Sequence, residues 1–390
     1  MNSGALMARV SRLCPVCEHP EAEAFYENSM APVDDFDMSY TVGRCQKCGF
    51  FFAHSLANDQ TFQNYYQSVS KYDFARVVSN LDRLRIDATV KICQGQVPSD
   101  AMIVDLGCGY GALLSGFKKA GWPNLYGVDP APKSAERARN LFGLERIYQG
   151  TMDNAHHLLP LAEADLVCVM AVLEHLPHLR EDLADLLKKL RPGCQILVEV
   201  PARERFFGLA GEPFGEFSLE HIQFFSATSL ENLFGSFGAK PLALHLVDLP
   251  VGNCDSLFGL FELTGTSLTS FEPLPENGEV MARYISDSKR RMDEAMVRIP
   301  VAPLVVYGAG SHTARLLPFL ETMSGGGIIA VVDNNPNLLN KTIGKWVIQS
   351  PSIIKTLPHV HILVSSFRYQ NEIAASLRDQ YLNQLVLLYE

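Results

Sequence analysis

Four of the nine cysteines fall into two C-x-x-C pairs, Cys14-Pro15-Val16-Cys17 and Cys45-Gln46-Lys47-Cys48. Two thiolates at this spacing can turn toward one ion, and Gly49 permits the tight turn that aims backbone N–H groups at sulfur. Together the pairs supply Cys14, Cys17, Cys45 and Cys48 as the four ligands of a closed tetrahedral Zn²⁺ site. No position is left open for a reacting group, so the ion would be structural. A redox dithiol would need one pair on a thioredoxin-like helix and would leave the second pair without a role. Cys93, Cys108, Cys168, Cys194 and Cys254 stand singly and read as small buried hydrophobes. An odd, scattered set is not the disulfide framework of a secreted protein.

The second chemical feature is the run Ile103-Val104-Asp105-Leu106-Gly107-Cys108-Gly109-Tyr110-Gly111. It puts Gly107, Gly109 and Gly111 at a strand-to-helix turn, where side chains would block a ligand approaching the backbone. Asp129 ends the next strand-like run, and a carboxylate there can accept hydrogen bonds from both hydroxyls of a ribose. Dinucleotide sites are spaced G-x-G-x-x-G, whereas this turn reads D-x-G-C-G-x-G. Residues 102 to about 200 therefore resemble a class I S-adenosylmethionine (SAM)-dependent methyltransferase, with Asp105, Gly107 and Gly109 matching that family's first motif and Asp129 its ribose acid. The resemblance implies that Thr151, Met152 and Asp153 flank the adenine. It also implies that Glu174 and His175, in Met170-Ala171-Val172-Leu173-Glu174-His175-Leu176, lie at the rim of the methyl-donor pocket.

A third feature is Phe217-Ser218-Leu219-Glu220-His221-Ile222-Gln223-Phe224-Phe225-Ser226. With the cysteine knuckles, the SAM motifs, a long helix and a small C-terminal lobe, it resembles the sugar C-methyltransferases that act on nucleotide-linked 4-keto deoxysugars. The resemblance implies a small-molecule substrate, a nucleotide-linked sugar, with His221 as base and Glu220 beside it. Methylating a carbon next to a ketone requires removal of an α-proton, and a histidine can take it near neutral pH. A neighbouring carboxylate would fix the histidine tautomer, and His175 or a tyrosine would hold the enolate oxygen. The segment Asn64-Tyr65-Tyr66-Gln67-Ser68-Val69-Ser70 takes the place of the family's tyrosine-bearing stretch, which makes Tyr66 the candidate catalytic tyrosine. Where those enzymes carry a Gly-Gly loop, this chain has Pro250-Val251-Gly252-Asn253-Cys254. O- or N-methylation of another small metabolite, or a non-catalytic zinc/Rossmann interaction module, remain open as alternatives.

The elements that must position these residues follow from pattern. With 390 residues, 47% of them hydrophobic and 19% charged, the chain is globular and too long for one ordinary core. The expected class is α/β: a Rossmann-like parallel-sheet methyltransferase domain between a small zinc-binding domain and a smaller C-terminal α/β lobe. The expected boundaries are 1–58 for the zinc-binding domain, 59–97 for a helical connector and 98–245 for the methyltransferase domain. A connector and spacer helix at 246–299 and a Rossmann-like lobe at 300–390 complete the chain. The zinc-binding domain, so short and turn-rich, is expected to depend on its metal alone.

Strands are expected at 102–105, 125–129, 146–148, 166–170 and 195–200, with a helix from Glu181 to Leu190 stopped by Arg191-Pro192-Gly193. A second helix spans 276–299, with Glu279/Arg283 and Asp287/Arg291 as i,i+4 pairs. In the C-terminal lobe, Tyr307-Gly308-Ala309-Gly310-Ser311 and Asp333 imitate a nucleotide site. A binding surface for the sugar nucleotide, a vestigial fold over the cleft and a second cofactor site are its three readings. His312 reads as a surface residue.

Lys+Arg 33 against Asp+Glu 43 gives a net charge of -10, and acids outnumber the cations Arg9, Arg12, Arg44 and Lys47 around the knuckles. Nucleic-acid partners are therefore not expected. No apolar run reaches a membrane span and the N-terminus has no signal-peptide core, so no membrane partner is expected and the expected location is cytoplasmic.

Overall fold

The computed structural model describes residues 10–34, 36–37, 39–56, 78–208, 211–218, 220–250, 254–265, 272–322, 327–357 and 359–389. Near the N-terminus, β1 (Val10–Ser11), β2 (Ala22–Asn28), β3 (Tyr40–Cys45) and β4 (Phe51–Leu56) form an antiparallel sheet in the order β1-β4-β3-β2. One cysteine knuckle precedes β2 and the other joins β3 to β4. This unit does not rest on a metal alone, contrary to expectation. Cys14, Val16, Cys48 and Phe52 share one apolar core with Leu179, Leu183, Phe225 and Leu230 of the central unit. Tyr40, Val42 and Phe51 share another with Phe217, Tyr284 and Leu304. Burial against both neighbours contributes stability that its own few residues could not supply.

The expected helical connector is α1 (Asn80–Cys93), begun by a Ser79/Asp82 capping box. Its upstream positions Phe62, Tyr65 and Tyr66 lie outside the described residues. Helix α1 packs so closely on the next helix that a Cβ on Gly116 would come within 2.4 Å of Ile86 Cγ2.

The central sheet follows with β5 (Met102–Leu106), α2 (Ala112–Ala120), β6 (Asn124–Asp129), α3 (Ser134–Phe142), β7 (Ile147–Gln149), α4 (Ala155–Leu158), β8 (Leu166–Met170), α5 (Leu179–Leu187) and β9 (Gln195–Pro201). Then come β10 (Gln223–Phe224), α6 (Ala227–Ser236), β11 (Ala239–Val247) and β12 (Ser256–Leu263). Seven strands pair in the order β11-β12-β9-β8-β5-β6-β7. All run parallel except β12, which is antiparallel to both β9 and β11. The sheet thus reaches Leu263, past residue 245, and one strand departs from the all-parallel expectation. The reversal occurs because β11 and β12 form a hairpin whose second strand fills the slot beside β9. Strand order turns around between β5 and β8, and their carboxyl ends open the crevice where ligands bind in such sheets.

Strand β10 belongs to neither neighbour in sequence: it pairs with the edge of β4, Gln223 opposite Phe52. The long helix α7 (Glu279–Met296) carries the expected Arg283–Glu279 pair at 2.5 Å and buries Met281, Tyr284, Met292 and Ala295. The C-terminal lobe contains β13 (Leu304–Tyr307), α8 (Ser311–Leu320), β14 (Ile328–Val332), β15 (Thr342–Ile343), β16 (Trp346–Gln349), β17 (His361–Val364), α9 (Gln370–Arg378) and β18 (Leu385–Leu387). Its sheet runs β15-β16-β14-β13-β17-β18. No helix among the described residues is long and apolar enough to cross a membrane.

Candidate active site and metal centre

The two knuckles close in the same way. In each, the residue after the second cysteine donates its N–H to the carbonyl of the first: Glu18 to Cys14 at 2.8 Å and Gly49 to Cys45 at 3.0 Å. Both donors hold left-handed φ, +57° for Glu18 and +77° for Gly49. Glycine is required at the second turn, where a Cβ would lie 2.3 Å from the Glu276 carbonyl oxygen. The four sulfurs come together, Cys14 to Cys48 and Cys17 to Cys45 at 3.6 Å, with all four within 4.8 Å of one another. Zinc–sulfur bonds of about 2.3 Å imply tetrahedral edges of about 3.8 Å, which this cluster fits. All four are free thiols. Four sulfurs this close would repel one another as thiolates, so a cation among them is what would let all four hold that form.

At the crevice of the central sheet, Gly107, Gly109 and Gly111 have φ of +78°, +53° and +82°. The turn is bare backbone by necessity: a Cβ on Gly107 would come within 2.9 Å of Val172 Cγ2, and one on Gly111 within 2.8 Å of Leu144 Cδ1. Asp129, at the tip of β6, accepts hydrogen bonds from Gly109 N at 2.8 Å, Ala131 N at 2.9 Å and Ser134 Oγ at 2.8 Å. A carboxylate has about four lone-pair sites, and with three taken one remains, on Oδ2, for a ribose hydroxyl. Asp105 is buried beneath the turn, and burial, then Asp129, pushes its carboxyl up to about 7. The loop bearing Thr151, Met152 and Asp153 is tied alongside by Gly150 N to the Asp129 carbonyl at 3.0 Å. Bare backbone, an acid at the adjoining strand tip and a flanking loop together fit an adenosyl group.

Beyond β8 the chain turns sharply at Ala171, a non-glycine residue with φ of +52°, and enters a single helical turn at Leu173–His175. Left-handed φ at such a residue costs energy and concentrates at functional sites. Glu174, His175 and His221 meet here, with one ligating atom of each within 4.8 Å of the others. The two imidazole centroids are 5.1 Å apart. Glu174 is 1% exposed and its Oε2 has no hydrogen-bond partner among the described residues. Burial, then Glu199, pushes its carboxyl well above the ordinary range, which favours the protonated form.

His221 lies 46 residues downstream of His175 in sequence and reaches it through a tightly bonded turn. Ser218 Oγ accepts from the N–H groups of Glu220 and His221, at 3.2 and 3.1 Å. Ile222 N donates to the Glu174 carbonyl at 2.9 Å, and Ala53 N on β4 donates to the Ile222 carbonyl at 2.8 Å. From the N-terminal sheet, Tyr40 OH lies 3.0 Å from the Ser218 carbonyl and Asn28 Nδ2 3.3 Å from that of Phe217. Tyr40 and Asn28 escaped sequence reasoning because nothing local marks a tyrosine or asparagine as a buttress for a turn so far along the chain. Tyr66 lies outside the described residues.

The C-terminal glycine turn is arranged differently from the central one. Ala309 N donates to Asp333 Oδ2 at 2.7 Å, imitating the Gly109–Asp129 bond. Yet a Cβ on Gly308 would meet the Ser365 carbonyl oxygen at 2.7 Å. His312, expected at the surface, is instead 5% exposed, bonded to Ser365 Oγ at 2.9 Å and Tyr389 OH at 2.7 Å. Burial draws its imidazole down to about 4. Ser365 backbone thus packs against Gly308, while a Cβ on Gly310 would meet open space.

The strand order, the single reversed strand and the glycine turn at the switch point define a class I methyltransferase fold. A family model described as "Methyltransferase domain" matches residues 72–244. The C-methyltransferase NovU of Streptomyces niveus is 28% identical over 211 residues, 54% of this chain and 48% of that protein. A mitochondrial ubiquinone biosynthesis O-methyltransferase of Schizosaccharomyces pombe is 28% identical over 109 residues, 27% of this chain and 39% of its own length. The chain thus spans about half or less of the length of these curated relatives. Among solved structures, the 1,6-didemethyltoxoflavin-N1-methyltransferase of Burkholderia thailandensis is 16% identical with a TM-score of 0.42, over 60% of this chain and 100% of that one. The magnesium protoporphyrin IX methyltransferase of Synechocystis PCC 6803, with bound SAM, is 14% identical with a TM-score of 0.38, over 53% of this chain and 98% of that one. The central unit thus has a methyltransferase fold and matches the methyltransferase family model over residues 72–244.

Proposed function

We propose that the protein C-methylates a nucleotide-linked keto deoxysugar beside its ketone, with His221 as the base and a structural Zn²⁺ held by Cys14, Cys17, Cys45 and Cys48. The observation that carries the reading is the meeting of Glu174, His175 and His221 at the switch-point crevice, next to the glycine turn. The similarity of 54% of the chain to a C-methyltransferase supports transfer to carbon.

SAM, bound against residues 107–111 and Asp129, supplies an electrophilic methyl group. A ring nitrogen of His221 takes the proton from the substrate carbon. The C–H electron pair becomes an enolate, that carbon forms the new C–CH₃ bond, and the methyl–sulfur pair leaves with S-adenosylhomocysteine. Glu220, next in the chain, is the carboxylate assigned to hold the His221 tautomer. The enolate oxygen needs a donor. His175 Nδ1 lies 2.7 Å from the Glu220 carbonyl, an acceptor only, so its proton is already engaged there. Glu174, whose carboxyl burial shifts toward the protonated form and whose Oε2 is unpartnered among the described residues, is a further candidate donor, as a protonated carboxylic acid can be in an apolar site.

Incubation with a panel of nucleotide-linked keto sugars in D₂O, without SAM, tests the reading. Deuterium should enter the carbon beside the ketone, and with SAM the NMR spectrum should place the new methyl there. A methyl found on oxygen or nitrogen, with no exchange at carbon, would reassign the enzyme to O- or N-methylation.

A further inference from the structure

We propose that Arg315, on helix α8 of the C-terminal lobe, positions the turn that carries His221, so that the lobe serves the active site as a clamp. The inference rests on the reading of His221 as base. Arg315 is only 3% exposed. Its Nη1 reaches Glu212 Oε1 at 2.5 Å, and its Nη2 donates to the Phe217 carbonyl at 2.8 Å. One planar guanidinium therefore spans the segment that leads into Ser218–His221. Lysine offers a single point of charge, whereas arginine's fork holds two acceptors in fixed directions.

The segment is gripped at intermediate points as well. Tyr284 OH on α7 accepts from Glu216 N at 2.9 Å, and the Phe217 carbonyl also faces Asn28 Nδ2. The Phe217 side chain is wholly buried in the core that joins the N-terminal sheet to the lobe. Helix α8 is itself fixed to the N-terminal unit by Ala31 N donating to the Ala314 carbonyl at 2.7 Å. A buried cation with one carboxylate partner among the described residues tolerates displacement poorly, because movement away from Glu212 would weaken its compensation. The arrangement gives the lobe a task that does not require its own glycine turn to bind a nucleotide.

The test compares Arg315→Met, Arg315→Lys and Glu212→Gln in the full chain. Three readouts are taken: amide hydrogen exchange, S-adenosylhomocysteine affinity by calorimetry, and steady-state methyl transfer. In Arg315→Met, exchange across 212–222 should accelerate at least about tenfold while that of 102–111 stays as in the parent, as expected when a local unit opens alone. Affinity for S-adenosylhomocysteine should stay within about twofold. The kcat should fall about 10- to 100-fold with the donor KM unchanged, the scale of a misplaced reacting group, and Arg315→Lys should recover part of it. Parental exchange across 212–222, or an unchanged kcat, would overturn the clamp. If Arg315→Met does not fold, Glu212→Gln, which keeps the bond to Phe217, should show the same changes in milder form, and parental exchange in it overturns the proposal. A parent protein inactive on every keto sugar would refute the functional reading, whereas the exchange data would still decide the clamp.

Discussion

The backbone carbonyl of Glu220 lies 2.7 Å from Nδ1 of His175, joining the turn after β8 to the turn before β10. A carbonyl can only accept, so Nδ1 carries the hydrogen, while Nε2 faces Glu174 Oε1 at 3.7 Å. His175 thereby sets where the Glu220–His221 peptide sits. His175→Ala should lower methyl transfer by about 10²-fold, the usual scale for losing a group that organises proton transfer. His175→Asn can keep a donor near Nδ1 and should recover part of that loss. Calorimetry should find S-adenosylhomocysteine affinity unchanged in both. Equal damage from the two substitutions would remove the hydrogen bond from the account.

Asp129 fastens the glycine turn through Gly109 N, and in the proposed reading it also accepts from the ribose. Asp129→Ala deprives three buried donors of their acceptor, at about 1–3 kcal/mol each. Titration calorimetry should show S-adenosylhomocysteine binding weakened at least about tenfold, since 1.4 kcal/mol is a factor of ten. Asp129→Asn, with one acceptor oxygen in place of two, should fall between the parent and the alanine variant. Parental affinity in the alanine variant would place the ribose elsewhere.

Much of this site can be read from the sequence because its parts are local. The strand tips Asp105 and Asp129 end continuous apolar runs, and the glycines between β5 and α2 sit where only their backbone freedom serves. What eluded the sequence depends on contacts between distant segments. Strand β10 is two residues long, and the unpaired edge of β4 creates it rather than any propensity of Gln223 and Phe224. Strand β12 is buried at nearly every position and its apolar residues stand on both faces, so it shows no period-2 signal to separate it from a connector. His312 follows a glycine turn, where polar residues commonly face solvent. Its partners Ser365 and Tyr389 come from the far end of the lobe. Likewise, no local pattern predicts that the Glu174 carboxyl would be sealed beside two imidazoles.

The sulfur cluster makes a prediction about metal and stability together. Cys14→Ser should lower zinc, measured by plasma emission spectrometry, from one equivalent to none, and should reduce the melting temperature. The protein should nonetheless stay largely folded, because the knuckles share a core with the methyltransferase domain. Gly49→Ala attacks the same unit through its backbone: its Cβ would lie 2.3 Å from the Glu276 carbonyl oxygen, at a φ of +77°. A loss of a few kcal/mol in urea unfolding is expected, as for other strained or overpacked sites. A parental unfolding midpoint would mean that the Glu276 segment can withdraw freely.

Asp105 gives the protein a pH-dependent weakness. Its carboxyl rises from 3.8 to about 7 in the folded chain, through burial first and the neighbouring Asp129 second. Between those two values the folded state holds a proton that the unfolded state has released. The group's favourable contribution is therefore complete below pH 3.8 and is lost as pH rises through about 7. The loss runs at roughly 1.4 kcal/mol for each pH unit crossed between the two values. Asp105→Asn cannot ionise and should escape this decline. Urea unfolding without cofactor should then find the variant more stable relative to the parent at pH 8 than at pH 5. A difference between variant and parent that stays constant across that range would mean Asp105 titrates alike in both states, so the carboxyl beneath the glycine turn would not be carrying the proton that its burial implies.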